Sequence, residues 1–250
     1  ALLGLAPVAA RLGEPRRAAD CYRSALPLSR AANQPDAEAR TLISQGDAWL
    51  AAGEPVQALD SYRAALPVLR GMEDRQGEAD LLRTIAGTCA GSGRNEEAAS
   101  AYEAALPLLE TDPARREVLQ RLGDAYAAVN RTDDALRVYG EALALAVADT
   151  DHGAEADLSG KLSMVYASLG DTQQAISYGE AAMIAARAAV SWPNRAPVLR
   201  TLGDAYADAG DHAQSMVCYR QALFLSRAVN DRRTEASLLN SLGNAAAHLG

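Results

Sequence analysis

Histidines are the first side chains to consider for catalysis or metal binding. His152, His212 and His248 lie far apart in the sequence. A zinc site on one helix needs two such ligands one turn apart, at positions i and i+4, and no histidine pair has that spacing. The sequence also lacks a Gly-x-Ser-x-Gly, a His-Glu-x-x-His or a Walker motif. We therefore expect exposed histidines, no catalytic constellation, no metal site and no cofactor.

The cysteines give no stronger signal. Cys21, Cys89 and Cys218 form an odd set without a short Cys-x-x-Cys spacing, which predicts neither a disulfide framework nor a metal site. Cys21 and Cys218 each precede a tyrosine of the repeat described below. The sequence favours small apolar residues that are buried or half-buried, and a reactive thiol is the alternative.

A glycine-rich run at residues 87–93 is the remaining candidate for chemistry. It resembles a loop that cradles phosphate groups, but such a loop needs a preceding strand and a following Lys-Ser or Lys-Thr pair. Neither is present. Each glycine inside a helix costs about 1 kcal/mol relative to alanine, so the run indicates the weak end of a helix.

The elements that must position these residues repeat along the chain. A marker residue recurs at intervals of 40 residues, with a single interval of 37. The markers are Gly13, Gly53, Gly93, Asn130, Gly170, Gly210 and Gly250. An alanine or serine follows each of the first six markers by five positions, and a tyrosine follows by nine in all but one repeat, which has Gly179. A fixed period of this length predicts a stacked array of helical units.

Each repeat is expected to contain two antiparallel helices. In residues 35–72, apolar residues recur at spacings of three and four on either side of Gly53, and Pro55 suits the first turn of the second helix. The marker glycine closes the first helix in a left-handed conformation, and the small residue after it lets the two helices approach. No segment alternates like a strand. We predict an all-α chain of about thirteen helices.

Composition limits the partners and the location. The chain has 49% apolar residues and a net charge of -8, which argues against nucleic acid because phosphate binding needs clustered Lys and Arg. No run approaches the roughly 18 apolar residues of a membrane span, and no signal peptide is recognisable. We expect a cytoplasmic protein, although Ala1 leaves a removed leader open.

The repeat register resembles the tetratricopeptide repeat family. That family's pattern is Leu-Gly-x-x-Tyr-x-x-x-Gly-x-x-x-x-Ala-x-x-x-Tyr-x-x-Ala. It is present here as Leu122-Gly123, Tyr126, Asn130, Ala135, Tyr139 and Ala142, and again as Leu202-Gly203, Tyr206, Gly210, Ser215, Tyr219 and Ala222. The usual family period is about 34 residues, so these units look like a longer variant. The resemblance implies a right-handed superhelix of helix pairs, similar to the sensor regions of bacterial signalling ATPases and transcription regulators and to peptide adaptors.

The register predicts a single array across 1–250. Its units are 1–33, 34–73, 74–112, 113–150, 151–190, 191–231 and a partial unit 232–250. Because the array starts and stops within a unit and lacks polar capping helices, we expect a fragment of a longer chain. On the last helix, the apolar stripe that includes Leu238, Leu242 and Leu249 is expected to lack its partner helix, which would favour end-to-end self-association.

Three prolines share one register position, five residues after the tyrosine. Pro27, Pro67 and Pro107 lie where the second helix of each of the first three repeats should continue. Proline removes a backbone hydrogen bond and clashes with the preceding turn, so each is expected to bend or end its helix.

The resemblance also implies a binding groove lined by the first helix of each repeat. Carried over through the register, the partner-binding residues are Arg40, Asp47, Asp80, Arg83, Glu117, Gln120, Asp124, Asp157, Arg200, Asp204, Asp208, Asn240 and Asn244. Because acidic residues outnumber the arginines, the expected partner is a neutral to basic protein or peptide segment. These residues could equally form an ordinary solvated face with weak pairs at i and i+4.

Three functional interpretations remain open from the sequence. The first is a non-enzymatic scaffold that binds a protein or peptide in its groove. The second is a regulatory sensor segment of a larger bacterial ATPase or transcription regulator. An enzyme is the third, and it requires catalytic residues outside this sequence.

Overall fold

The computed structural model describes residues 2–189 and 195–249, and side chains from residue 6 onward. These residues form thirteen α-helices and no strand, which confirms the all-α prediction. The helices are α1 (Leu2–Arg11), α2 (Pro15–Ala31), α3 (Pro35–Ala51), α4 (Pro55–Gly71), α5 (Arg75–Gly91), α6 (Asn95–Ala105), α7 (Asp112–Ala128), α8 (Thr132–Ala148), α9 (His152–Ser168), α10 (Thr172–Ala188), α11 (Arg195–Asp208), α12 (His212–Ala228) and α13 (Arg232–Leu249). Among the described residues, no helix is both long and apolar enough to span a bilayer.

The chain divides into two compact units, residues 1–129 and 130–250. In the first unit, each of the helices α1 to α6 packs against the next helix along the chain. In the second unit, α8 to α13 pack in the same sequential way, and α9 also contacts α11. Sequential packing of short-range neighbours is the arrangement expected of stacked repeats.

The marker residues end the first helix of each pair as predicted. Gly53 has a φ of 76° and Asn130 a φ of 59°. This left-handed conformation costs glycine nothing and asparagine little, because neither carries a bulky or branched side chain. After the turn at Gly53, Pro55 occupies the first turn of α4, where its missing N–H has no helical partner to lose.

The small residue after each marker is inaccessible to solvent in every repeat. All six are completely buried, and they are Ala18, Ala58, Ala98, Ala135, Ala175 and Ser215. The repeat tyrosines of α4, α6, α8 and α12 are buried further along the same pairs. Burial of alanine and tyrosine at fixed positions therefore explains why the sequence keeps the period.

The three prolines behave differently from one another. Pro27 and Pro67 lie inside the continuous helices α2 and α4, so neither proline ends its helix, and a bend at these two positions stays a prediction. At Pro107 the expectation holds, because α6 ends at Ala105 and residues Leu106–Leu108 form a 3-10 turn. The connector that follows is the shortened one, so the chain must leave α6 early for α7 to begin at Asp112.

The apolar stripe of the last helix also differs from the prediction. Leu238 is completely buried and belongs to a cluster with Leu199, Tyr219 and Leu223 of α11 and α12. Leu238 therefore faces the preceding helix pair, because in a sequential stack every first helix packs on the pair before it.

Candidate functional site

Helices α5, α6 and α7 of the first unit enclose an open cleft of about 680 Å³. Its polar lining is provided by Asp80, Arg83, Thr84, Asn95, Tyr102, Glu117, Arg121 and Asp124. Four of these, Asp80, Arg83, Glu117 and Asp124, are groove residues predicted from the register. The structure thus brings together four of the predicted residues, which come from the first helices of two neighbouring repeats.

Helical spacing positions these side chains on facing surfaces. Asp80, Arg83 and Gly87 follow each other at three and four residues along α5, so they share one face. Glu117, Arg121 and Asp124 follow the same spacing along α7. The start of α5 is fixed by Asp74, whose carboxylate accepts a hydrogen bond of 2.9 Å from the backbone N–H of Gly77.

An ion-pair network joins the two helices across the cleft. The Arg83 guanidinium donates to Glu117 on α7 at 2.8 Å and to Asp80 on its own helix at 3.2 Å. The Gln76 amide donates to the other Asp80 oxygen at 3.0 Å. Such exposed pairs contribute about 0–1 kcal/mol, so the network mainly fixes the positions of the charged groups that line the cleft.

Two predicted groove carboxylates have partners inside their own repeat. Asp47 of α3 accepts a hydrogen bond of 2.7 Å from the Tyr62 hydroxyl. Asp204 of α11 accepts one of 2.6 Å from the Tyr219 hydroxyl. These pairs stabilise the helix pair, and the register alone did not distinguish this role from partner binding.

The tyrosine hydroxyls of these pairs are kept protonated. Burial, followed by the hydrogen bond to Asp204, raises the pKa of Tyr219 to about 12. Burial and the Asp47 carboxylate likewise raise the pKa of Tyr62 above its usual range. A neutral phenol is a hydrogen-bond donor to the carboxylate, which is the arrangement that the distances show.

The remaining predicted residues lie outside the cleft lining. Arg40 pairs with Asp36 along α3. Gln120 and Asp157 are half-buried, and each interacts with another group. The other four are exposed on α11 and α13, and they are Arg200, Asp208, Asn240 and Asn244. Their role in partner binding remains a prediction.

The cysteines do not have the environment of nucleophiles. Cys89 and Cys218 are buried, Cys21 is half-buried, and none forms a disulfide. Burial raises the pKa of the Cys218 thiol to about 11 and also raises the pKa of Cys89. Because the thiolate is the reactive form, this supports small apolar residues over reactive thiols. Within residues 2–189 and 195–249, no cluster of three His, Cys, Asp or Glu could hold a metal ion.

Four polar cleft residues were not among the predicted ones. Tyr102 was treated only as a repeat tyrosine, and Thr84, Asn95 and Arg121 fall outside the positions taken from the family register. The sequence did contain a signal for Tyr102. Where the second and sixth repeats have Gly46-Asp47 and Gly203-Asp204, the third has Ala86-Gly87, so its tyrosine lacks the aspartate.

The fold and the cleft define a class of protein, an array of antiparallel helix pairs with polar residues on the first helix of each pair. Residues 118–152 and 154–228 match models of the tetratricopeptide repeat. These residues therefore form tetratricopeptide repeats, as the register indicated. A search of curated protein sequences gives no match.

Solved structures share this fold at low sequence identity. BtubC (BKLC) from P. vanneervenii is 21% identical with a TM-score of 0.66, over 86% of this chain and 92% of that one. YrrB, described as a TPR protein with an unusual peptide-binding site, is 17% identical with a TM-score of 0.60, over 86% and 98%. The STAND protein PH0952 from Pyrococcus horikoshii, which has a tetratricopeptide repeat sensor, is 16% identical with a TM-score of 0.72, over 95% and 38%. At these identities the likeness concerns the fold alone.

Proposed function

We propose that this chain is a non-enzymatic scaffold that binds a peptide or an extended protein segment in the cleft between α5 and α7. The observation that carries the proposal is the cleft itself. Polar side chains from the first helices of two neighbouring repeats line its open volume of about 680 Å³. A concave site with a few convergent polar groups is the usual form of a binding site. Tetratricopeptide repeats are in general non-catalytic scaffolds for protein partners.

The charge of the cleft supports a neutral to basic segment. Three carboxylates, Asp80, Glu117 and Asp124, line it together with two guanidinium groups, Arg83 and Arg121. The sum is one net negative charge. Complementary charge accelerates association and selects partners more than it adds affinity, and salt screens it over about 10 Å at 0.1 M. We therefore expect binding that weakens as the salt concentration rises.

The test is an array of random 15-residue peptides probed with the whole chain, followed by fluorescence anisotropy of the peptides that bind. We expect the double variant Glu117→Gln and Asp124→Asn to weaken binding of basic peptides by about tenfold, as lost charge-assisted contacts of about 1.4 kcal/mol would produce. Asp60→Asn removes the same kind of charge from the exposed face of α4 and serves as the control. Equal loss in both variants, or no binding peptide, would contradict the proposal.

A regulatory sensor segment is the second candidate. The observation that favours it is the match of 95% of this chain to part of the STAND protein, of which it covers 38%. In this case the cleft would receive a segment of the parent protein. The coding sequence that surrounds this chain would decide, since a nucleotide-binding or DNA-binding domain beside it would favour the sensor.

Self-association and location complete the proposal. Leu239 of α13 is 47% exposed and Leu249 is 55% exposed, which supports association through this helix because exposed apolar patches tend to find partners. Light scattering of Leu239→Gln should show less oligomer than the parent chain. The free thiols support a cytoplasmic setting, where cysteines stay reduced.

A further inference from the structure

Inside the cleft, the third repeat lacks a carboxylate that the second, fourth and sixth repeats have at the same register position. The residue fifteen positions before the repeat tyrosine is Asp47 for Tyr62 and Asp204 for Tyr219, and in both repeats the hydroxyl donates to that aspartate. For Tyr102 the corresponding residue is Gly87. The third repeat therefore keeps the donor and loses the acceptor.

The space of the missing side chain is open to the cleft. A Cβ atom at Gly87 would meet only the Tyr102 hydroxyl, at 4.0 Å. Tyr102 is 6% exposed and lines the cleft. Its hydroxyl faces this open volume, so water or a ligand can accept its hydrogen bond. The hydroxyl thus points to a position that an acceptor of a ligand can occupy.

The surrounding charges indicate which acceptor fits. Burial is the largest cause of the raised pKa of the Tyr102 phenol, Arg121 opposes it, and Glu117 and Asp124 add to it. The phenol therefore stays neutral and donates. A carboxylate oxygen has two lone pairs, so Glu117 and Asp80 retain acceptor capacity after their bonds to Arg83. The site consequently offers the Tyr102 hydroxyl as a donor beside the acceptors of Glu117 and Asp80, with the guanidinium groups of Arg83 and Arg121 also in the lining.

We propose that the part of the cleft between Gly87 and the Tyr102 hydroxyl, the Gly87 pocket, binds the primary carboxamide of an Asn or Gln side chain. This inference rests on the proposed binding of a peptide in this cleft. The carboxamide oxygen accepts from the Tyr102 hydroxyl, and its NH2 group donates to the carboxylates of Glu117 and Asp80. A carboxylate ligand would enter a pocket with one net negative charge and bring no donor. An apolar side chain would leave the hydroxyl unpaired.

The experiment uses capped single residues as probes. N-acetyl-glutamine N-methylamide is titrated into the ¹⁵N-labelled whole chain, and the glutamate and leucine analogues are titrated in parallel at pH 7. We expect the glutamine probe to shift amide resonances of α5 and α7, and the other two to bind about tenfold more weakly, the effect of one unpaired buried polar group. Among these probes only the glutamine derivative carries a primary carboxamide.

Two variants and a matched control locate the effect. Gly87→Asp restores the aspartate that the second and sixth repeats carry, fills the pocket and pairs Tyr102, so we expect a folded chain that no longer binds the glutamine probe. Tyr102→Phe should remove the preference for glutamine over leucine. The control is Tyr62→Phe, because the hydroxyl of Tyr62 already donates to Asp47 in the same unit, and this variant should bind like the parent.

The outcomes separate this inference from the proposed function. Equal binding of the glutamine and glutamate probes, unchanged binding in Gly87→Asp, or no localised shift would overturn the carboxamide pocket. If peptides from the array still bind and still respond to the Glu117 and Asp124 substitutions, the cleft function stands without it. If the glutamine probe binds the parent chain and no peptide does, the pocket stands and the peptide source is overturned in favour of a free carboxamide.

Discussion

The contact between Gly46 and the ring of Tyr62 gives the sharpest test of the packing. A Cβ atom at residue 46 would lie 2.5 Å from Cδ1 and 2.9 Å from Cζ of the ring, which is well inside van der Waals contact. Tyr62 is completely buried and its hydroxyl is held by Asp47. Gly46→Ala therefore forces the ring to move or α3 and α4 to separate.

The size of the effect follows from three contributions. Overpacking a core by one methyl costs about 1–3 kcal/mol. Displacing the hydroxyl from Asp47 costs a further amount of about 0.5–1.5 kcal/mol. Alanine gains about 1 kcal/mol over glycine in a helix. We expect the free energy of unfolding to fall by about 0.5–3.5 kcal/mol in total.

A second substitution tests the cause. The third repeat carries Ala86-Gly87 where this repeat carries Gly46-Asp47, so an alanine is accepted where no aspartate holds the tyrosine. The double variant Gly46→Ala and Asp47→Gly should lose less stability than the sum of the single variants. The coupling between contacting residues is about 0.5–3 kcal/mol.

Urea unfolding followed by circular dichroism measures these changes in the free energy of unfolding. Because repeat arrays need not unfold in one step, hydrogen exchange of the α3 amides shows whether the loss of stability is local. Gly140→Ala is the control, because its Cβ meets nothing within 4 Å in the middle of α8, and it should stabilise. A Gly46→Ala chain as stable as the parent, or fully additive double-variant energies, would refute the packing argument.

Three further predictions concern a turn, an ion pair and a phenol. Thr150 has a φ of 55°, so Thr150→Asn should raise the melting temperature through about 1 kcal/mol of relieved strain. Arg70 pairs with Glu78 at 2.6 Å across the connector from α4 to α5, and Arg70→Ala should cost about 0.5–1 kcal/mol in urea unfolding. Because burial and Asp204 raise the folded pKa of Tyr219 to about 12, its contribution to stability is complete below the unfolded value of about 10. Thermal melts from pH 9 to 12 should show this stabilisation being lost as the pH rises. The loss of melting temperature over the same range should be smaller in Tyr219→Phe.

The repeat itself was predictable from the sequence because it rests on local rules. A glycine or asparagine that adopts a positive φ must end a helix, and proline at the first turn must begin one. Small and aromatic residues at fixed offsets then give the pairing of the helices. These signals indicated the thirteen helices and the family, and Gly53 and Ala58 behave as they predict.

The candidate site was only partly predictable. The register placed Asp80, Arg83, Glu117 and Asp124 on the correct helices, and the structure brings these four into one cleft. The register gave the same groove role to Asp47 and Asp204, and in the structure both accept hydrogen bonds from repeat tyrosines. A one-dimensional register records the face of a helix on which a residue lies, and it does not record what lies opposite.

What the sequence by itself determined, then, is the order and type of the elements, since turn conformation and helical periodicity depend on neighbouring residues. Only the tertiary structure decided which polar groups are satisfied. Hydrogen bonds depend on distances of a few tenths of an ångström between helices that are separate in sequence. The prolines also depended on the tertiary structure. Pro67 continues its helix and Pro107 ends one, because the length of the connector beyond each proline decides where the next helix must begin.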